Sequence, residues 1–109
     1  MLTAKELECI RACNECAVAC LQCATDCLQE DDVNPLTQCI ALDFECAEIC
    51  RLTAGSIASD AMHTDAVSAL CVTACQACAD ECVKHAMDHC QKCAEACKRC
   101  ADACRSISK

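Results

Sequence analysis

The chain has 109 residues, 18 of them cysteine and one aromatic, with a formal net charge of −8. That length fits one domain, residues 1–109, and the acidic balance excludes a nucleic-acid binder, which needs a basic face. The lone Phe44 excludes a base-stacking platform, and no run is long and apolar enough to span a membrane.

A capping box opens the first element, with Thr3 as N-cap and Glu6 three residues on. From there to about Gln29 the chain reads as a helix bearing Cys9, Cys13, Cys16, Cys20, Cys23 and Cys27, spaced 4, 3, 4, 3, 4. Glu30-Asp31-Asp32-Val33 is an acidic link. Asn34 as cap and Pro35 at the first helical position start a second helix. It carries Cys39, Asp43, Cys46 and Cys50 and runs past Gly55 to about Ala61. Thr64 or Asp65 caps a third helix, with Cys71, Cys75, Cys78 and Cys82, ending near His85. After a short connection a fourth covers roughly Asp88 to Ser106 and holds Cys90, Cys93, Cys97, Cys100 and Cys104.

Alternating steps of three and four are the seam of a helix that faces other helices. Here thiols stand where a bundle normally places leucine. Leu, Ile, Val and Phe number only 19, which with the net charge would suggest disorder. The strict register argues against that, because cysteine buries like a small hydrophobe and metal ligation adds folding stability. The expected fold is all-α, an antiparallel up-down-up-down four-helix bundle with a cysteine-lined core. Alanines flanking the seam (Ala12, Ala17, Ala19 and Ala24; Ala94, Ala96, Ala101 and Ala103) let the helices approach closely. Arg11, Glu15, Glu95, Lys98, Arg99 and Asp102 fall on outer positions.

A disulfide scaffold is a poor reading of this pattern. Residues three or four apart on a helix have Cβ atoms roughly 5–6 Å apart, whereas a disulfide needs about 3.5–4.5 Å. The opening residues lack a basic segment followed by an apolar one, so the expected compartment is the cytoplasm, where thiols stay reduced. Thiolate is a soft donor that selects Cu(I), Zn(II) or iron–sulfur clusters. Zinc wants closed sites of four ligands, and ferredoxin-type clusters take four cysteines each. Neither requires an unbroken ladder along four helices. Cu(I), with low coordination number and bridging thiolates, suits one, and ligand counting gives about 18 ions. A metallothionein-like zinc buffer is the alternative, an iron–sulfur electron carrier a weaker one. No nucleophile, base and orienting acid form an enzyme site, and a thiol oxidoreductase would need one exposed, tuned cysteine pair.

The two ends of such a bundle differ. Ile57, Val67, Leu70 and Ile107 are expected as an apolar plug at the N-terminal end, with Met62 and His63 nearby as packing and surface residues. Cys27, Cys39, Cys82 and Cys90 gather at the other end with His85, Met87 and His89, whose imidazoles and thioether suit a metal entrance. Asp43 replaces one seam cysteine, as a hard ligand or hydrogen-bond partner near the mouth, or as an acid rotated to the surface by register drift.

The C-x-x-x-C-x-x-C ladders, the sparser C-I-A-L-D-F-E-C-A-E-I-C segment and K-H-A-M-D-H-C before the last ladder together resemble the bacterial copper storage proteins. The resemblance spans nearly the whole chain and points to the cytosolic branch. It implies many Cu(I) ions inside the bundle, a role in storage or detoxification and assembly into homotetramers. It further implies metal-binding roles for Asp43 and for His85 and His89. A copper chaperone or a low-molecular-weight thiol is the expected donor. Met87 is a departure from those related chains that carry histidine in this stretch.

Overall fold

The structure, a computed structural model, describes residues 1–107. Four helices follow in order: α1 (Ala4–Cys27), α2 (Thr37–Ala58), α3 (Thr64–Cys82) and α4 (Asp88–Ile107). α1 packs on α2, α2 on α3, α3 on α4 and α4 back on α1. The ring closes as the expected up-down-up-down bundle, a rod of 47 × 19 × 18 Å.

The predicted capping box at Thr3 is formed in both directions. Thr3 Oγ1 accepts from the Glu6 amide at 3.1 Å, and Glu6 Oε1 accepts from the Thr3 amide at 2.8 Å. The second helix starts differently from expectation. Asn34-Pro35-Leu36 forms a single 3₁₀ turn, with Val33 at its N-cap. Proline fixes the backbone angle that such a turn requires, and α2 proper begins three residues later. α2 passes through Gly55, as expected, but stops at Ala58 rather than Ala61. Asp60, at φ 52°, reverses the chain there. Thr64 is the first residue of α3 rather than its cap. Its hydroxyl donates to the Ala61 and Ser56 carbonyls, at 2.7 and 3.1 Å, and so ties the end of α2 to the start of α3. α3 ends at Cys82, three residues before His85.

Burial follows the seam. Every cysteine is fully buried, and the alanines on either side are buried or half-buried, so helices without large side chains between them close on a sulfur core. The outer positions named above are exposed. The N-terminal end needs a correction. Ile57 is buried and Ile107 packs on the core, but Val67 is only half-buried and Leu70 is 49% exposed. Leu70 precedes the seam residue Cys71, and one residue is about 100° of rotation on an α-helix. Thr53 and Ser68, each one seam step beyond the last cysteine of its helix, fill the space instead. Met62, 91% exposed, and His63 lie on the surface, so Met62 does no packing.

Candidate metal centre

All 18 cysteines are free thiols. Because each helix carries them on one stripe, the four stripes meet along the bundle axis and the sulfurs form a continuous column. At the N-terminal end Cys9 and Cys104 lie 3.1 Å apart, and Cys13 joins Cys104 at 3.8 Å. Mid-bundle, Cys16 meets Cys97 at 3.6 Å and Cys46 meets Cys75 at 3.7 Å. Near the other end Cys39 meets Cys82 at 3.3 Å and Cys27 meets Cys90 at 3.7 Å.

Several sets of four sulfurs lie within 4.8 Å of one another. One is Cys13, Cys71, Cys100 and Cys104; another is Cys23, Cys27, Cys39 and Cys90. Between them, the sets built on Cys16, Cys46, Cys50 and Cys75, on Cys16, Cys20, Cys46 and Cys97, and on Cys20, Cys78, Cys93 and Cys97 share members. Shared members mean that the column does not divide into separate tetrahedral cages. With metal–sulfur bonds of roughly 2.3 Å, sulfurs on one ion sit about 3.8 Å apart in tetrahedral and about 4.0 Å in trigonal geometry. The spacing of the apo column already approaches that range, so an ion can enter between neighbours with small side-chain shifts.

Asp43 is inside this column, not rotated to the surface: it is 0% exposed. Its Oδ1 accepts from the thiols of Cys78 and Cys93, both at 3.2 Å, and from Cys82 at 3.5 Å, while Oδ2 faces Cys39 at 3.9 Å. Burial raises its pKa to about 8, with the neighbouring Cys93 adding to the rise. The carboxyl therefore sits at a junction of thiols from α2, α3 and α4.

His85, Met87 and His89 are half-buried at the end opposite the N-terminus. His89 Nδ1 points to Cys90 Sγ at 3.5 Å and Cys27 Sγ at 3.8 Å, while its Nε2 meets Glu30 at 3.1 Å. His85 Nε2 meets Glu81 at 2.9 Å, and the ring bears electrostatically on Cys39. Met87 packs against the sulfur core. Burial pushes the Cys27 and Cys90 thiols up, whereas hydrogen bonds from Cys23 and Cys82, helped by His85, pull Cys39 down. This end thus gathers buried thiols beside imidazole.

The sequence reading missed five residues. Leu36 is fully buried one seam step before Cys39, and that spacing would have found it. Thr53 and Ser68 extend the seam at the other end in the same way. Glu81, in the last turn of α3, lies only four residues before His85, which follows the helix end, so the pair was within local reach in the sequence. Glu30 had no local signal, because it is 59 residues from His89.

Comparison with known proteins adds the following. A family model described as copper storage protein (Csp) matches residues 2–109. An uncharacterized cysteine-rich protein, YhjQ of Bacillus subtilis strain 168, is 47% identical over 100 residues, covering 92% of this chain and 93% of its own. The Cu(I)-bound copper storage protein BsCsp3, from Bacillus subtilis, superposes with a TM-score of 0.92 at 45% identity, covering 96% of this chain and 99% of that one. A cytosolic copper storage protein from Streptomyces lividans, with five coppers, gives 0.89 at 41% identity over 94% of this chain and 90% of its own.

Proposed function

Because this chain belongs to the copper storage protein family, we propose that it stores many Cu(I) ions along its thiol column. The observation that carries the reading is the column itself: 18 free, fully buried thiols in unbroken contact along the bundle. Soft thiolates suit Cu(I), whose low coordination number fits bridging sulfurs, and each ion entering displaces a thiol proton, so the buried core stays near neutral as it fills. The cysteines named above are the proposed ligands. Asp43 is proposed as an oxygen donor or thiol acceptor at the junction of three helices. His85, Met87 and His89 are proposed to form the entrance, handing Cu(I) to Cys27, Cys39, Cys82 and Cys90.

The role is storage or detoxification, not catalysis: saturated thiolates are poor nucleophiles, and every thiol is equivalent in burial. The same compartment is proposed as for the cytosolic Streptomyces lividans relative. The bundle is proposed to assemble into homotetramers. Leu7, Val18, Phe44 and Leu52, each about half exposed on the outer faces, support such an assembly by offering apolar area to bury. A copper chaperone or low-molecular-weight thiol would supply the metal.

Challenging the Cu(I)-loaded protein with excess Zn(II), and weighing it by native mass spectrometry, tests the choice of metal. Retention of copper is expected. Displacement of copper by a few zinc ions would establish a zinc buffer instead.

A further inference from the structure

The histidine at the entrance is held by a residue from a different part of the chain. His89 is on the first turn of α4, and Glu30 lies in the acidic link that follows α1. An imidazole has two nitrogens, and in the neutral ring only one carries a proton; which one is set by the hydrogen bond the other end makes. Glu30 Oε2 lies 3.1 Å from Nε2, so the carboxylate accepts from Nε2–H there. The lone pair is then on Nδ1, which faces Cys90 Sγ at 3.5 Å and Cys27 Sγ at 3.8 Å. Those two sulfurs are 3.7 Å from each other. Nitrogen and two sulfurs form a three-donor face whose members come from α1 and α4.

We infer that Glu30 is a positioning residue for the entrance: it fixes the His89 tautomer and ring orientation so that Nδ1 is the copper-facing donor. The inference rests on the proposed Cu(I) entrance and adds a residue to it. A carboxylate behind a metal-binding imidazole orients the ring and raises its basicity as a ligand. Glu30 is well placed for this because it is itself 39% exposed while the histidine is 18% exposed, so its charge needs no buried partner. The bond also fastens the link between α1 and α2 across the mouth. His85 has a similar partner in Glu81, but that one is local, four residues earlier at the end of α3, and no sulfur lies within hydrogen-bonding distance of its ring.

The test uses Glu30→Ala, Glu30→Gln and His89→Ala in the full-length protein. Glutamine keeps one acceptor oxygen for Nε2–H, loses the charge and carries an NH2 donor in place of the other oxygen. Long-range ¹H–¹⁵N spectra of the apo protein, at a pH where the ring is neutral, report the His89 tautomer without any copper present. Stopped-flow mixing with chelated Cu(I) reports the loading rate, and titration reports capacity. The expected result is an Nε2–H tautomer in wild type and Glu30→Gln, a mixture in Glu30→Ala, and several-fold slower loading in Glu30→Ala and His89→Ala. Capacity should fall in neither Glu30 variant. A wild-type tautomer or wild-type loading in Glu30→Ala overturns the inference, as does equal slowing in Glu30→Gln and Glu30→Ala. Failure of wild type to take up many copper ions would instead overturn the storage reading, and the capacity measurement distinguishes the two.

Discussion

Among the described residues, Asp43 is the only carboxylate in a core otherwise made of sulfur, small hydroxyls and aliphatic carbon. Burial disfavours its charged form, and the pKa rises from 3.8 to about 8. Between those values the native apo protein holds a proton that the unfolded chain has released. The unfolded state then binds fewer protons, so stability falls as pH rises from about 4 to about 8. In Asp43→Asn this part of the slope disappears. Denaturant melts of the metal-free, reduced protein at pH 5 and pH 8 measure it, and an unchanged slope in the variant would contradict the buried, protonated carboxyl. The replacement of a seam cysteine by Asp43 was readable from the 4, 3, 4 spacing. Whether that side chain pointed inward was not, because seam drift of about 20° per heptad leaves both orientations open. Contact with thiols from α3 and α4 settles it.

At the scale of single helices, spacing and capping carried most of the information. The α1 start was legible because a capping box is a local pairing of Thr3 with Glu6. The start of α2 was legible only in part: Pro35 marks a first turn, but whether that turn is 3₁₀ or α depends on how Leu36 seats against the core. Leu36 is the largest fully buried side chain at the entrance end, and its amide donates to the Val33 carbonyl at 2.8 Å. Leu36→Ala should lower apo stability by about 2–5 kcal/mol, the cost of lost burial plus a residual cavity. Chemical denaturation measures this; a change under about 1 kcal/mol would mean that the 3₁₀ turn is not anchored by that side chain. The missed hydroxyls at the opposite end have a related cause. Leu70 looks more like a plug than Ser68 when residues are judged by hydrophobicity, but only Ser68 keeps the three-residue step to Cys71. Position on the stripe, rather than polarity, decided which was buried.

For the whole molecule, the ladder repeated in all four helices made the bundle and its thiol core legible before any coordinates, since short links between helices of similar length leave few ways to bring four stripes together. What the linear pattern did not contain was the pairing between distant segments. The Glu30–His89 contact, the junction around Asp43 and the overlapping sulfur sets each arise from the antiparallel stacking of helices far apart in the chain. That overlap separates a continuous store from a row of discrete cages. The most direct measurement is an anaerobic titration of the fully reduced apo protein with Cu(I) against a competing chelator, counting ions bound per chain. An uptake near one copper per cysteine, about 18 by ligand counting, is the predicted result. Saturation at about four ions would contradict a continuous thiolate column and indicate separate four-sulfur sites.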